Sequence, residues 1–432
     1  MAAALAATLT LSGCGGGEPA GTPEAARTQS QAPQGPVKLT YWTWAPNMDK
    51  VVEVWNKAHP DIQVTVSKQA GGATTPPPSS SPRPRPATRR TWCRPNTSTC
   101  RRSWRPRRWP TSRPRRRRSR ASSARACGGL VTLGTEGVYA VPQDSGPMML
   151  FYRQDLFDEY GIEVPKTWDE YAEAARAVRK KDPKVYLGTF SSKDPGAFTG
   201  LAQQAGAQWW SISGEAWKVD IADAPTVKVA DYWDGLVKEG AIDDTPYFTP
   251  EWNKALADGK LLTWPSAIWA PGTLESNAPK AEGKWAIAPM PQWNAGENHT
   301  GFWGGSSVAV AAKSPNRAAA ARFATWLNTD PEAVGALVKE AAIYPAATKA
   351  QTALTEAPGY FANQPDFWQQ AAQASAGARG FTFGPNVGVT YNAFRDGFDK
   401  ALQDGSPFSG AVRAMHEATV ADMRKSGFSL AS

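Results

Sequence analysis

Tryptophan is the residue type in this sequence with the greatest capacity for ligand binding. The chain has 432 residues and 19 tryptophans, 16 of them outside residues 71–127. An indole stacks its apolar face on the apolar face of a ring-shaped ligand, and a tryptophan-rich protein often buries some rings and places others at its ligand. Asp, Glu, Asn and Arg side chains hydrogen-bond hydroxyl groups around such a ring. These residue types predict recognition by stacking and hydrogen bonding.

Catalytic and metal chemistry has little support in the sequence. The three histidines, His59, His299 and His416, are too scattered to predict a catalytic triad or a metal site. No motif pairs two carboxylates as acid and nucleophile or base. Apart from Cys14, the cysteines lie within residues 71–127 and offer no disulfide framework or metal-ligand spacing. We therefore expect no metal, no cofactor and no enzymatic activity.

The first tryptophans follow a strand that belongs to a parallel sheet. Val37–Thr43 is rich in β-formers, Asp49–Ala58 has helical apolar spacing, and Ile62–Val66 alternates as a second strand. A strand, a helical crossover and a second strand form a parallel pair. Ligands of open α/β sheets bind at strand ends. Trp44, just beyond the first strand, is the better ligand candidate, whereas Trp42 suits a core position equally well.

The stretch Val141–Lys181 carries the densest pattern in the chain. Its apolar run Pro147–Tyr152 predicts a strand covered on both faces. A short acidic helix, Gln154–Tyr160, ends at Gly161, a residue that tolerates the left-handed cap. Thr167 is a natural N-cap for a longer helix, and the glutamate three residues on completes a capping box. These features alone would suit any α/β domain.

Their joint spacing resembles the extracellular solute-binding proteins of ABC importers, specifically the sugar-binding family. The residues that carry the resemblance are Asp144, Gly146, Tyr152, Phe157, Gly161, Pro165, Thr167 and Trp168. The resemblance implies an α/β, two-lobed periplasmic-binding-protein-like fold of type II. It has mostly parallel sheets flanked by helices, with a ligand cleft between the lobes. A chain of this length is also too long for a single hydrophobic core, which agrees with two lobes.

The resemblance also implies a division of the chain. Residues 1–36 would be a lipoprotein signal and tether, residues 37–143 plus 306–345 lobe one, and residues 144–305 plus 346–432 lobe two. Three crossovers would join the lobes, near Val141–Tyr152, Gly304–Val308 and 342–350.

The N-terminal residues match a bacterial lipoprotein signal. An apolar stretch ends in Leu11-Ser12-Gly13-Cys14, which predicts lipidation of Cys14. A plain secretory signal with a chance cysteine is the alternative. No Lys or Arg precedes Cys14, so we expect the true start upstream. No apolar run reaches the roughly 18 residues of a spanning helix.

Residues 71–127 differ in composition from the rest of the chain. They contain 17 Arg, no Lys and no acidic residue. The positive charge of this segment is therefore larger than the formal net charge of the whole chain, +9. A nucleic-acid-binding arm or a disordered insert are two interpretations. Translation in the wrong frame explains the composition better, because a G/C-rich gene yields Arg and Pro out of frame. With G/C-ending codons, Arg90–Ser98 shifted by one base encodes Pro-Asp-Val-Val-Gln-Ala-Glu-Tyr-Gln, which is similar to a strand of the family. On this hypothesis lobe one lacks a strand, its helices and a ligand-facing acidic residue.

The resemblance extends the candidate ligand site beyond Trp42 and Trp44. Its further members are Asp144, Trp209, Trp269, Trp303, Gly304, Gly305, Tyr344 and Tyr391. Asp144 would bond hydroxyls, and its alternative role is to cap a turn. The glycine pair would let backbone approach the ligand.

The function implied is the substrate-binding component of an ABC transporter. It would capture a mono- or oligosaccharide at the extracellular face of the cytoplasmic membrane and deliver it to the permease transmembrane subunits. We expect a lipid-anchored monomer that binds no nucleic acid. The alternative is a secreted carbohydrate-active enzyme such as a glycosidase, which needs a pair of catalytic carboxylates.

Overall fold

The computed structural model describes residues 35–69, 131–132, 137–341, 343–352 and 354–431. The predictions for the signal, Cys14 and residues 71–127 lie outside these residues. Within them the strands are β1 Val37–Thr43, β2 Ile62–Lys68, β3 Ala140–Pro142, β4 Met148–Arg153, β5 Trp210–Ser213, β6 Ala216–Val219, β7 Thr263–Ala267, β8 Trp285–Ala288 and β9 Ser307–Ala309.

The helices of the same residues are α1 Met48–Ala58, α2 Gln154–Tyr160, α3 Trp168–Lys181, α4 Pro195–Ala205, α5 Ala224–Lys238, α6 Pro250–Ala257, α7 Ala270–Asn277, α8 Arg317–Thr329, α9 Pro331–Ala341, α10 Thr348–Gln351, α11 Phe367–Ala376, α12 Val387–Asp404 and α13 Phe408–Lys425. Two 3₁₀ turns, Pro279–Ala281 and Gly359–Phe361, complete the set. No helix in the described part of the chain has the length and apolar character needed to cross a bilayer.

Lobe one is built on the β1–α1–β2 unit that the sequence predicted. β1 and β2 pair in parallel, with Val37 opposite Ile62. The amphipathic helix α1 buries Trp55, whose ring packs edge-on against Phe323 of α8 at 5.4 Å between centroids. His59 ends α1 and stacks on Trp55 at 3.6 Å between centroids.

The second edge of β1 has no strand partner among the described residues. The Val37 N–H donates to the Asp61 carbonyl, and the Thr43 carbonyl accepts from Gln69, so odd-numbered residues bond towards β2. Backbone groups alternate between the two edges of a strand. Lys38, Thr40 and Trp42 therefore present theirs to the opposite edge, where no strand of the described residues pairs with them.

The main sheet of lobe two has β4 at its centre. β4 is antiparallel to both neighbours, so Leu150 faces Pro265 of β7 on one side and Ala288 of β8 on the other. Parallel bridges from Tyr186 to Leu261 and from Thr189 to Asp243 continue the sheet beyond β7. In the described sheet β4 alone runs against the common direction. Among the ladders of the described residues, β1–β2 is parallel, whereas β3–β9, β4–β7, β4–β8 and β5–β6 are antiparallel. The prediction of mostly parallel sheets is therefore wrong for these ladders, because β4 runs between two strands of the opposite direction.

Local signals in Val141–Lys181 are confirmed in the structure. Gly161 takes the left-handed conformation with φ 64° and ends α2. The Thr167 hydroxyl accepts from the Glu170 N–H at 3.1 Å and caps α3. The Glu170 carboxylate accepts from the Lys166 N–H at 2.6 Å, one residue earlier than a standard capping box would have it.

Three extended segments lie side by side where the lobes meet. The Gln143 N–H donates to the Ser306 carbonyl at 2.9 Å on one side. On the other side the Ser145 N–H donates to the Tyr344 carbonyl at 3.0 Å, and the Gln143 carbonyl accepts from Ala346 at 3.0 Å. These backbone bonds join residues 142–146, 302–307 and 343–346, which we call the crossover segments.

Two hydrophobic cores flank the crossover segments. The smaller includes Trp55, Phe323 and Ile343 and packs the β1–β2 sheet against α1, α8 and α9. The larger extends from Met148 to Phe428 and contains most of the buried aromatic rings. The fold is therefore two-lobed and α/β.

Candidate functional site

A cavity of about 640 Å³ lies where β1, the crossover segments and the start of α7 converge. Its volume falls in the range of small-ligand sites. Five of the predicted site residues line it: Trp42, Trp44, Asp144, Trp269 and Tyr344. The cavity also extends along the unpaired edge of β1 towards β9.

Trp42 and Trp44 give lobe one an exposed aromatic wall. Their side chains are 58% and 62% exposed, which is unusual for so large an apolar group. Trp42 lies on the outward face of β1, and Trp44 follows the strand end. There the Thr43 hydroxyl accepts from the Ala45 N–H at 3.2 Å and turns the chain. Both rings are free to stack on a ligand in the cavity.

Asp144 ties two crossover segments together. Its Oδ1 accepts from the Ser306 hydroxyl at 2.6 Å and from the Ser306 N–H. Burial raises the pKa of the Asp144 carboxyl, and the hydrogen bonds from Ser306 oppose that shift. The carboxylate lines the cavity while holding the 302–307 segment in register, so a ligand-binding role for it stays a prediction.

Trp269 gives lobe two its half-buried ring at the cavity. Its Nε1 donates to the Trp303 carbonyl at 2.7 Å, and the two rings meet edge-on at 4.9 Å. Trp303 is buried behind it and acts as its support. Gly304 and Gly305 have φ of 88° and 94°, and a Cβ on Gly304 would lie 3.4 Å from Trp269 Nε1. The glycine pair therefore lets the crossover pass close to the Trp269 ring.

Three further predicted residues belong to the larger hydrophobic core or pack against it. Trp209 is wholly buried, and its Nε1 donates to the Thr226 hydroxyl at 2.8 Å. Tyr391 does not line the cavity, and burial raises the pKa of its hydroxyl to about 12. Tyr344 lines the cavity by position, but its ring is buried and stacks on Trp368 at 5.8 Å. Trp209 and Tyr391 thus have packing contacts where ligand contacts were expected, because the lobe-two core covers their rings.

One exposed ring was not predicted. Phe248, immediately before α6, is 46% exposed and lies 6.3 Å from Trp269 between ring centroids. Its signal in the sequence is weak, an aromatic residue just before a Thr-Pro helix start. A residue in that position normally packs against the first turn of its helix. In the described residues no group of three or more His, Cys, Asp or Glu side chains is arranged to hold a metal ion.

Comparison with known proteins agrees with this architecture. A family model described as bacterial extracellular solute-binding protein matches residues 119–334, half of the chain. The chain therefore belongs to the bacterial extracellular solute-binding protein family. Its relatives include an arabinooligosaccharide-binding protein of Halalkalibacterium halodurans, 24% identical over 201 residues, which are 45% of this chain and 44% of the relative. The match thus spans less than half of that relative.

Solved structures share the fold over nearly the whole chain. The galacto-N-biose/lacto-N-biose I-binding protein of an ABC transporter from Bifidobacterium longum, in complex with lacto-N-biose, has a TM-score of 0.74 and 24% identity. It covers 93% of this chain and 100% of its own. An ABC transporter associated binding protein from B. animalis subsp. lactis, in complex with β-1,6-galactobiose, has a TM-score of 0.72 and 23% identity over 92% of this chain and 100% of its own. The fold is the two-lobed type II periplasmic binding-protein fold.

Proposed function

We propose that this protein is the substrate-binding component of an ABC transporter and that it captures a mono- or oligosaccharide outside the cell. One observation carries the proposal. Exposed tryptophan rings of lobe one, Trp42 and Trp44, and a half-buried ring of lobe two, Trp269, line the same interlobe cavity. Flat apolar faces with nearby polar groups suit sugar rings and their hydroxyls.

The crossover segments support a hinge role. The lobes comprise residues 37–143 plus 306–345 and residues 144–305 plus 346–432 in this proposal, so every connection passes through one narrow region. Closure about such a region brings the two aromatic walls onto the ligand. The closed protein would then deliver the sugar to the permease transmembrane subunits.

The cellular setting is part of the same proposal. Lipidation of Cys14 would anchor a monomer at the extracellular face of the cytoplasmic membrane, with residues 15–36 as a tether. No nucleic acid and no catalysis are involved.

We further propose that residues 71–127 are translated out of frame. The unpaired β1 edge and the cavity beside it support this hypothesis, because a parallel sheet normally has neighbours on its strands and cover on both faces. A DNA read across codons 70 to 130 tests it directly. Two compensating indels support the hypothesis, and an uninterrupted frame that encodes the printed residues excludes it.

The frame-corrected protein is the chain in which codons 71–127 are read in the restored frame. Calorimetric titration of this protein with a panel of sugars tests the function. We expect saturable binding of at least one mono- or oligosaccharide and no turnover of chromogenic glycosides. Binding of only an amino acid, a peptide or a metal ion would refute the sugar assignment while leaving a transport role. Hydrolysis of a glycoside would instead favour the enzyme.

A further inference from the structure

Phe248 is an exposed aromatic ring of lobe two that the proposed site does not yet include. Among the described residues the exposed large apolar side chains are Trp42, Trp44, Ile212 and Phe248. The two tryptophans line the cavity, and Ile212 lies on the β5–β6 hairpin. Exposed apolar groups of this size are candidates for binding surfaces.

The backbone of Phe248 is held in a costly conformation. Its φ is 66°, in the left-handed region that bulky side chains avoid. The only other described non-glycine residue with positive φ is Asn47, a residue type that tolerates it. Capping does not require this conformation, because Thr249 supplies the cap of α6 by accepting from the Trp252 N–H. A strained residue of this kind indicates that the position of its side chain matters.

The strain turns the Phe248 ring onto an aromatic cluster that leads into the cavity. Tyr247 is fixed beneath it, since the Tyr247 hydroxyl donates to the Thr189 carbonyl at 2.9 Å. The Phe248 ring lies 6.2 Å from Trp303 and 6.3 Å from Trp269. Trp269 lines the cavity and Phe248 does not, but the contact between the two rings places Phe248 beside the cavity lining.

A purely structural role for Phe248 explains its contact with α6 but not its exposure or its positive φ. Phe248 precedes the N-cap and meets Trp252 edge-on at 5.6 Å, as a hydrophobic staple would. A staple does not need an exposed ring or a left-handed backbone.

We propose that Phe248 is a second stacking platform of the ligand site and that the site takes a saccharide of at least two rings. The inference rests on the proposed function. The Trp269 and Phe248 rings are inclined at 44° with centroids 6.3 Å apart, so the pair suits two successive rings of one ligand better than a single ring. Trp269 holds the inner ring of the ligand, and Phe248 holds the next one outwards.

Titration of F248A in the full-length, frame-corrected protein tests the inference. Loss of one stacking contact should weaken binding of a disaccharide or trisaccharide about tenfold and of its monosaccharide less than about twofold. F248Y, which keeps the ring, should retain the parent affinity. I212A removes an exposed apolar group away from the cavity and should bind as the parent does.

A thermal melt of F248G separates the ligand role from the staple. Glycine relieves the left-handed strain, so we expect F248G to melt no lower than F248A while losing the same oligosaccharide affinity. If F248A binds the oligosaccharide as well as the parent does, the second platform is wrong although the proposed function stands. An equal loss for mono- and disaccharide would also overturn it, as would a parent that binds only monosaccharides. A parent that binds no sugar would refute the function and the inference together.

Discussion

The central strands of the two lobes have opposite surroundings. In lobe two, β4 has β7 and β8 on its edges, and all its residues except Tyr152 are buried. In lobe one, β1 has β2 on one edge and a cavity on the other, and Lys38, Thr40 and Trp42 are exposed. Within the described residues, β4 is thus paired on both edges, whereas β1 is paired on one edge only.

The hydrophobic cores of the two lobes also differ, in the number of tryptophans that they bury. Lobe two encloses seven tryptophans with almost no exposed surface, Trp168, Trp209, Trp210, Trp233, Trp252, Trp264 and Trp285. The lobe-one core has a single tryptophan of this kind, Trp55, among the described residues. The Arg-rich residues 71–127 lie between β2 and β3 in the sequence, directly after the sheet that has the unpaired edge. Among the described residues, β4 therefore has a strand on each edge, whereas β1 has one on a single edge.

Hydrogen exchange at β1 should show the largest difference between the printed and the frame-corrected proteins. The amides of Lys38, Thr40 and Trp42 face the open edge, so they should exchange at close to free-chain rates in the printed protein. A restored neighbouring strand should slow them at least a thousandfold, about 4 kcal/mol. The Leu39 and Tyr41 amides, which face β2, should be protected in both proteins. Protection of all five amides in the printed protein would show that both edges of β1 are paired and would contradict the difference between β1 and β4.

Core truncations should cost more in lobe two. Phe151 in β4 is wholly buried, so F151A should lower the free energy of unfolding by about 3 kcal/mol. Leu39 in β1 is only half-buried, so L39A should cost less than about 1 kcal/mol in the printed protein and more in the corrected one. Denaturant unfolding followed by circular dichroism measures both. Equal costs in the printed protein would contradict the difference between the lobes.

Tryptophans at the cavity and in the core should respond differently to mutation. W269A removes a ring that lines the cavity and should weaken sugar binding about tenfold or more. W209F keeps an aromatic ring in the core but loses the bond to Thr226, so it should cost about 1 kcal/mol of stability and leave affinity unchanged. Calorimetric titration and thermal melts check the pair. Loss of affinity in W209F would restore Trp209 to the site.

Replacement of Asp144 should have a smaller effect on affinity and should not lower the free energy of unfolding. Its pKa is raised in the folded protein, so above its unfolded pKa the ionised carboxylate costs stability. D144N removes that cost and keeps an acceptor for Ser306. If the carboxylate also bonds the ligand, D144N should weaken binding about three- to tenfold, whereas S306A should weaken it less. Equal losses in the two variants would limit Asp144 to its bond with Ser306.

Local signals in the sequence predicted the elements well. β1 has the predicted bounds, and Gly161 and Thr167 have the predicted caps. These features depend on neighbours along the chain. β9 begins only at Ser307, because Gly304 and Gly305 turn the preceding backbone into the left-handed region.

The direction of side chains was harder to predict. The adjacent pair Trp209 and Trp210 gave no sign of its burial, because α5 and Phe381 cover the rings from distant parts of the chain. Phe248 was not predicted for the same reason, because its interest as a ligand contact comes from its packing against the rings of Trp269 and Trp303. Exposure is set by long-range packing that a single sequence does not display.

Tryptophan fluorescence of the two proteins, titrated side by side with a sugar panel, tests the central claim most directly. The cavity rings Trp42, Trp44 and Trp269 should change their emission when a sugar stacks on them. We expect a saturable shift in the frame-corrected protein and little or none in the printed one, in whose described residues no strand pairs with the second edge of β1. Equal binding by both proteins, or no shift with any carbohydrate, would contradict this account.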